Sequence, residues 1–203
     1  MHDIQLVYFD LDASRGEECR LALHLAGVPF DDVRVDRAAW ATMKPDTPWG
    51  SLPLLKVAGR GTLAQSNAIL GWIGRSYGLF PSDAWEAARH DGILAACEEL
   101  RARFSPALWE TDPEKRRALR EDFVATTLPV WARGVEAHLA DGPFLGDALS
   151  VADIKLFVLA RWFLSGILDH VPTTCLDAFP RLKAHQAAVA AHPGVRSWTE
   201  RAR

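Results

Sequence analysis

The sequence is poor in cysteine, in long apolar runs and in clusters of positive charge. Its three cysteines, Cys19, Cys97 and Cys175, are scattered. An odd number without a C-x-x-C pair argues against a disulfide framework and against a thioredoxin-type oxidoreductase. No run approaches the ~18 apolar residues that a membrane span needs. The net charge is −3 with no basic block, so neither nucleic acid nor an anionic membrane is the expected partner.

Two further absences narrow the class of protein. No cluster of His, Cys and acidic residues has the spacing of metal ligands, so we expect no metal centre. Met1, His2 and Asp3 form no basic n-region, and the apolar residues 4–7 are too few for the core of a signal peptide, so we predict no leader. With so few cysteines, a reduced, cytoplasmic setting is the expectation.

The composition is that of a folded protein with one large domain or two small ones. The chain has 203 residues, of which 49% are hydrophobic and 24% are charged, and these are ordinary values for a globular protein. Eight tryptophans are many for this length. We expect most of them in the core or at interfaces, because aromatic side chains bury large areas.

The first 80 residues alternate between strand and helix signals. Short β-prone runs lie at residues 4–9, 30–35, 54–57 and 62–64, and helical patterns lie at 14–27, 40–44 and 68–77. Ser14 is a good N-cap for the first helix, with acidic residues in the turn that follows. The predicted order is β-α-β-(α)-β-β-α, and residues 1–80 are predicted to form an α/β domain.

From Pro81 onward the sequence predicts helices and no convincing strand. Apolar positions recur at spacings of three and four residues in the segments 83–107, 113–139, 150–168 and 180–191, a pattern typical of helices. Ser150 and Asp153 fit a capping box at the start of the third of these helices. We therefore predict an all-helical domain over residues 81–203, joined to the first by a linker at 78–82.

The stretch from residue 48 to residue 66 is the most informative part of the sequence. Pro53 precedes an apolar run at Leu54–Val57, where a proline is tolerated as the first residue of a strand. The Leu52-Pro53 bond is a candidate for a cis peptide, which would turn the Leu52 backbone outward to pair with another extended peptide. Ser66 stands at a predicted helix start, and helix N-termini bind carboxylates. One end of the stretch is therefore suited to bind a peptide backbone, and the other end is suited to bind an anion.

Together these features resemble the soluble glutathione transferases over essentially the whole chain. The matching pieces, in chain order, are Tyr8-Phe9, S-R-G-E-E-x-R at 14–20, Trp40 with Lys44, P-x-G-x-L-P at 48–53, Gln65-Ser66, and F-L-G-D-x-L-S-V-A-D-I at 144–154. They are most similar to the sigma-type branch, which includes glutathione-dependent prostaglandin D synthases. The resemblance implies a thioredoxin-like N-terminal domain, an all-helical C-terminal domain, glutathione as co-substrate and a homodimer.

The resemblance assigns the chemistry to Tyr8, whose hydroxyl would stabilise the thiolate of glutathione, the attacking nucleophile. Ser14 is the rival donor, since other branches of the family use a serine at the start of the first helix. An N-cap role explains Ser14 well, and Tyr8 is the simpler donor. Arg15 would support either the hydroxyl or the thiolate. The plain alternatives are a tyrosine buried for structural reasons and a solvated arginine.

The same resemblance assigns a set of contacts to glutathione. Trp40 and Lys44 would reach its glycine carboxylate, and Gln65 and Ser66 its γ-glutamyl carboxylate. Glu99, next to Glu98, would approach the γ-glutamyl amine from the opposite subunit, although both glutamates could simply be solvated. The full set is Tyr8, Arg15, Trp40, Lys44, Ser51, Leu52, Pro53, Gln65, Ser66 and Glu99.

An electrophile would bind between the two domains. The candidates to line its pocket are Phe9, Asp10, Phe104, Leu108, Trp109 and Trp162, several of which a core position would also explain. Their largely aromatic character favours apolar electrophiles. Ser51 stands where the family often has a basic residue, which leaves the subclass and the second substrate open. Two other functions stay open: a non-enzymatic binding protein of this fold, and a glutathione-dependent isomerase or peroxidase using the same thiolate.

Overall fold

A four-stranded mixed sheet lies in the N-terminal part of the protein. The computed structural model describes residues 2–139 and 142–201 of the chain. The strands are β1 (Ile4–Phe9), β2 (Asp31–Val35), β3 (Leu54–Val57) and β4 (Gly61–Ala64). They lie in the order β2-β1-β3-β4. Strand β1 runs parallel to β2 and antiparallel to β3, and β4 is antiparallel to β3. The predicted thioredoxin-like fold class is confirmed.

Three helices, α1 (Ser14–Leu25), α2 (Arg37–Met43) and α3 (Ser66–Ser76), accompany the sheet. Because side chains alternate along a strand, β1 serves two layers. Ile4 and Leu6 enter the main core with α1 and α3. Val7 belongs to a smaller cluster on the other face, against which Phe9 and Met43 pack.

The remaining helices are α4 (Ala84–Trp109), α5 (Pro113–Asp122), α6 (Leu128–His138), α7 (Val151–Leu164), α8 (Pro180–Ala191) and α9 (Pro193–Thr199). In the described ranges no strand follows β4, as the sequence predicts. Helix α7 is central, because it packs against α1, α3, α4 and α8. Even α4, with 26 residues, lacks the continuous apolar stretch that crossing a membrane requires. The division of the chain at residue 80 stays a prediction.

Three helical details differ from the prediction. The helix predicted over 113–139 is divided by a π-helical turn at Phe123–Thr127, which precedes Pro129. Proline cannot donate the regular helical hydrogen bond, and a widened turn is a common adjustment at such points. Helix α7 ends at Leu164 instead of residue 168, and Gly166 follows with a φ of 76°. Helix α9 was not predicted, because its seven residues are too few to show a periodic pattern.

The predicted capping box at the start of α7 is confirmed. The Asp153 N–H donates to Ser150 Oγ (3.4 Å), and the Ser150 N–H donates to Asp153 Oδ2 (2.9 Å). The other oxygen of Asp153 accepts from the Leu145 N–H at 2.8 Å and lies 2.9 Å from His185 Nε2. This single carboxylate therefore joins the start of α7 to the preceding loop and to α8.

Candidate active site

Tyr8 lies near the carboxyl end of β1 and is only 6% exposed. Its ring packs directly against the backbone of Gly16 in α1, where an added Cβ would lie 2.0 Å from Tyr8 Cδ1. Glycine is therefore required at residue 16 for the tyrosine ring to lie where it does. The packing of α1 on the sheet sets the position of the Tyr8 hydroxyl.

The loop between β1 and α1 is held by Arg20, which is completely buried. Its guanidinium donates to the carbonyls of Phe9 (3.2 Å) and Leu11 (2.8 Å) and to Asp32 Oδ1 (2.8 Å). The bonds fix the path of the chain that leads from Tyr8 into α1. The arginine was not a candidate from the sequence, because its partners are two loop carbonyls and a carboxylate on β2 that only the fold brings together.

Ser14 begins α1 with a φ of 62°, and the N-cap position belongs to Ala13, with no side-chain cap. The prediction that Ser14 is the N-cap is therefore wrong. The Ser14 side chain instead lies close enough to the Tyr8 phenol to exert a lowering effect on its pKa. The two rival thiolate donors are therefore neighbours in the fold, which their sequence separation of six residues did not reveal.

The Tyr8 phenol is held in its neutral form. Burial raises the pKa of Tyr8 above its ordinary value, and the nearby Glu18 carboxylate adds to this effect, while Ser14, Arg15 and Arg101 act in the opposite direction. Loss of solvent disfavours the charged phenolate. Near neutral pH the group is therefore a hydroxyl that can donate a hydrogen bond.

The predicted cis peptide between Leu52 and Pro53 is present, and strand register places it beside Tyr8. Val7 pairs with Leu54, and Leu54 pairs with Ala64. Continuing both registers by one residue brings Pro53 next to Tyr8 and Gln65 next to Pro53. Residues that are far apart in sequence thus meet at one end of the sheet.

Helix α3 starts at this same end. Gln65 occupies its N-cap position with a φ of 72° and is exposed, a backbone conformation that costs energy for a residue other than glycine. Ser66 is the first helical residue and is 4% exposed. An open helix N-terminus presents backbone N–H groups to an anion. Ser51 and Leu52, which directly precede Pro53 and β3, are partly buried.

Trp40 and Lys44 lie on the α2 side of the sheet. The Trp40 ring packs edge-on against Phe9 with 5.9 Å between centroids, and Phe9 in turn contacts Tyr8 at 5.5 Å. Lys44 begins a short 3-10 turn and is exposed. Trp40 is thereby linked to Tyr8 through one intervening ring.

A cluster of charged groups lies between α1, α3, α4 and α7, beside this end of the sheet. Arg15 Nη2 and Nε both donate to Glu98 Oε2, at 2.7 and 2.9 Å. Arg101 donates to Glu18 and, at 2.9 Å, to Glu98 Oε1. We name the set the interhelical charge cluster; its members are Arg15, Glu18, Glu98, Arg101 and Lys155, with the Ser66 hydroxyl in contact.

Most of this cluster was missed from the sequence. Glu18, Arg101 and Lys155 are almost completely inaccessible, with 0%, 8% and 0% exposure, and their contacts join segments 57 to 137 residues apart. One signal was available: Lys155 is the single cation within an apolar run from residue 154 to residue 160. Charged residues are rarely buried unless they are paired.

Both carboxylates of the cluster are ionised. Burial opposes the charged form of Glu98, but Lys155, Arg101 and Arg15 lower the pKa of Glu98 to about 2. Against the same cost of burial, Arg101 and Lys155 hold the pKa of Glu18 below its ordinary value. Burial raises the pKa of the neighbouring Cys97 thiol to about 12, so that thiol is not a nucleophile at neutral pH.

The proposed electrophile-binding residues are not gathered on one surface. Phe104 is completely buried, in aromatic contact with Phe123, Phe163 and Trp162. Phe104 therefore lies in the core, where it cannot contact a ligand bound at the surface. Trp109, at the end of α4, is 73% exposed.

The other candidates also differ in their surroundings. Phe9 and Leu108 are partly buried. Asp10 is exposed, with Arg34 Nη1 donating to its Oδ1 at 2.8 Å. Phe9 and Asp10 directly follow Tyr8, so they lie closest to it along the chain.

Glu99 lies away from the Tyr8 end of the same chain. Its carboxylate pairs with Arg103 one turn later in α4 and is 62% exposed. Both residues line a groove of about 550 Å³ between α4 and α6. A role for Glu99 in an opposite subunit stays a prediction.

In the described ranges, no group of three His, Cys, Asp or Glu side chains is arranged to hold a metal ion. The groups that meet at the Tyr8 end are a neutral phenol, a hydroxyl, an open helix N-terminus and an excess of cations. Such a site can bind a ligand that carries carboxylates and stabilise a developing anion beside the phenol.

Two family models match the sequence. The model described as "Glutathione S-transferase, N-terminal domain" matches residues 5–75. The model described as "Glutathione S-transferase, C-terminal domain" matches residues 98–202. The two matched ranges contain Tyr8, the cis-proline segment, the start of α3 and most of the helical part.

Individual proteins show the same relationship. A "Probable glutathione S-transferase 8" of Caenorhabditis elegans is 30% identical, with 97% of this chain and 95% of the relative covered. The "Hematopoietic prostaglandin D synthase" of Gallus gallus is 29% identical over 99% of this chain and 97% of the relative. The solved structure of a prostaglandin synthase D of Nilaparvata lugens superposes with a TM-score of 0.86 at 28% identity, covering 98% of each chain.

Proposed function

The chain belongs to the glutathione S-transferase family, and we propose that it binds glutathione at the Tyr8 end of the sheet and conjugates it to apolar electrophiles. The observation that carries the proposal is the convergence of a buried, neutral Tyr8, a cis Leu52-Pro53 peptide and the open start of α3 at one sheet end.

Tyr8 is the proposed catalytic residue. Its hydroxyl donates a hydrogen bond to the glutathione sulfur and favours the thiolate, because a hydrogen bond to the charged form stabilises it. A free thiol has a pKa near ~8.5, and each lowering of that pKa by one is worth about 1.4 kcal/mol. The thiol proton leaves to solvent, and the thiolate sulfur then forms a bond to the electrophilic carbon. In a substitution the leaving group departs with the electron pair of the bond that breaks; in an addition the π electrons of the activated double bond move to the neighbouring atom, which then takes a proton from water. Ser14 and Arg15 support the hydroxyl in this proposal.

The remaining assignments follow the length of the tripeptide. Leu52, with neighbouring Ser51 and Pro53, pairs through its backbone with the cysteinyl residue, as an added β-strand does. Gln65 and Ser66 receive the γ-glutamyl carboxylate, for which an open helix N-terminus is suited.

The two ends of glutathione complete the assignment. Trp40 and Lys44 receive the glycine carboxylate. Glu99 approaches the γ-glutamyl amine from a second copy of the chain, so we propose a homodimer in the cytoplasm. The electrophile is placed beside Phe9 and Asp10.

A second candidate activity uses the same thiolate. Relatives named prostaglandin D synthase share nearly the whole length of the chain. A glutathione-dependent isomerase is therefore the first alternative to conjugation, followed by a peroxidase. A binding protein without activity would keep the glutathione site and lose turnover.

The experiment is Tyr8→Phe, with Tyr77→Phe as the matched control, since these are the two tyrosines of the chain. Tyr77 is 41% exposed and contacts Trp72 through its ring, so its hydroxyl can be removed without disturbing that contact. Tyr8→Phe should lower kcat by about 10²-fold or more, the usual cost of removing one such donor, and leave glutathione affinity within about threefold. Tyr77→Phe should match wild type.

Turnover is measured with glutathione and a panel of electrophiles and hydroperoxides. Glutathione binding is measured separately by calorimetry. Wild-type protein that does not bind glutathione would refute the proposal as a whole. Full activity in Tyr8→Phe would assign stabilisation of the thiolate to Ser14 instead. The variant Ser14→Ala would then test that assignment. Binding without turnover of any compound would favour the non-enzymatic alternative.

A further inference from the structure

We propose that Lys155, in the interior of α7, is a positioning residue that turns the Ser66 hydroxyl into a hydrogen-bond donor for the carboxylate held at the start of α3. The inference rests on the proposed function, because that carboxylate belongs to glutathione. Lys155 is 0% exposed, so it does not touch the ligand, and its hydrogen bond to Ser66 is its direct connection to the start of α3. Its contacts, rather than any sequence motif, are the basis of the assignment.

All three N–H groups of the Lys155 ammonium have partners. Lys155 Nζ lies 2.5 Å from Glu98 Oε1, 3.1 Å from Glu18 Oε2 and 3.2 Å from Ser66 Oγ. An ammonium has three donors and no acceptor. Ser66 Oγ therefore accepts from the lysine, and the Ser66 proton must point towards another acceptor.

The acceptor that Ser66 finds within the chain is a poor one. Ser66 Oγ donates to Glu98 Oε1 over 3.3 Å, while good O–H···O bonds measure ~2.7–2.8 Å. That same oxygen already accepts from Lys155 and from Arg101 at 2.9 Å. The serine proton can turn to a carboxylate at the start of α3 without giving up a strong bond.

The charge of the cluster favours an incoming anion. Arg15, Arg101 and Lys155 carry three positive charges and Glu18 and Glu98 two negative ones, so one positive charge is uncompensated within the cluster. Inside a protein such charges interact more strongly than in water. One ligand carboxylate would bring the group to neutrality, and Ser66 is the member of this network that lies at the helix start.

The test is a double-mutant cycle on glutathione binding, measured by calorimetry for Lys155→Met, Ser66→Ala and the combined variant. Each single substitution should weaken glutathione affinity about tenfold, the worth of one hydrogen bond to a charged group. Because Lys155 acts through Ser66, the combined variant should bind about as weakly as Ser66→Ala alone. KM for glutathione should rise while kcat at saturation changes less than twofold, which a general loss of structure would not produce.

Arg120→Met is the matched control for losing a buried cation. Arg120 is 5% exposed and donates to the carbonyls of Ala107 and Asp169, and it makes none of the cluster's contacts. The variant should bind glutathione as wild type does.

Lys155→Met removes a cation that Glu18 and Glu98 share, and the loss of one partner from a buried charge network can prevent folding. The variant with both Glu18→Gln and Lys155→Met keeps the charge balance, and the same tenfold loss is expected from it. Wild type that binds no glutathione would overturn the proposed function and this inference together. Binding by wild type with unchanged affinity in the lysine variants, or losses that multiply in the combined variant, would overturn the inference alone.

Discussion

Replacing Glu98 by Gln should remove a pH-dependent part of the protein's stability. The cationic neighbours lower the pKa of Glu98 from its ordinary value of 4.5 to about 2. A difference of about 2.5 in pKa between the unfolded and the folded chain corresponds to about 3 kcal/mol. Because the side chain is 27% exposed, solvent screening is limited and the discount on this figure is small. Glu98→Gln should therefore lower the free energy of unfolding by about 3 kcal/mol at pH 7.

The sign of the pH dependence follows from the lowered pKa. Above pH ~4.5 the carboxylate is ionised in both states, and its contribution is fully present. Between pH ~4.5 and pH ~2 the unfolded chain binds the proton and the folded chain does not, so acid removes the contribution. By pH 3 about 2 of the 3 kcal/mol should be gone, and wild type and Glu98→Gln should then differ by only about 1 kcal/mol.

The measurement is urea unfolding followed by tryptophan fluorescence at pH 7, 5, 4 and 3, at one protein concentration. The difference between wild type and variant isolates Glu98 from the other carboxylates. Glu99→Gln is the matched control, because Glu99 is the next residue in the same helix and its pair with Arg103 is exposed. Its difference from wild type should stay within about 0.5 kcal/mol at every pH. A Glu98 difference that stays constant between pH 7 and pH 3 would refute the reasoning.

Two further substitutions test the packing around the site and the start of α7. Gly16→Ala would force a Cβ to within 2.0 Å of the Tyr8 ring, so it should lower the free energy of unfolding by about 1–3 kcal/mol. It should also lower turnover, because the Tyr8 hydroxyl is displaced. Turnover equal to wild type would show that the ring position is unimportant. Ser150→Ala removes the buried capping box with Asp153 and should cost about 1–2 kcal/mol, which lowers Tm by a few degrees in thermal unfolding and leaves kcat unchanged.

The features that the sequence could predict are local ones. The capping box depends only on residues three positions apart, and the strands show as short β-prone runs. Pro53 by itself predicts both the start of β3 and a candidate cis peptide. The cis peptide, the sheet and the helical second half follow from these signals. Ser14 shows the limit of local reasoning: a serine at a helix start is usually a cap, yet here the contact with Tyr8 takes its side chain.

The interhelical charge cluster could not be predicted, because nothing local specifies it. Glu18, Glu98 and Lys155 lie on three helices that meet only after folding, and the two glutamates by themselves look like surface residues. Burial of such groups is tolerated only when every one has partners. Lys155, inside an otherwise apolar segment of α7, is the position where helix periodicity and side-chain chemistry disagree. Such disagreements are expected at functional or strained sites.

The site therefore has two parts that depend on opposite electrostatic conditions. Tyr8 must remain neutral to donate a hydrogen bond, and burial raises the pKa of its phenol. Glu98 must remain ionised to hold Arg15 and Lys155, and those cations lower its pKa. Arg15 belongs to both parts, because its charge also acts on the Tyr8 phenol while its side chain is bound to Glu98. A change that releases Arg15 from Glu98 would move a positive charge relative to Tyr8, so the ion pairs between α1 and α4 also affect how readily the phenol donates a hydrogen bond.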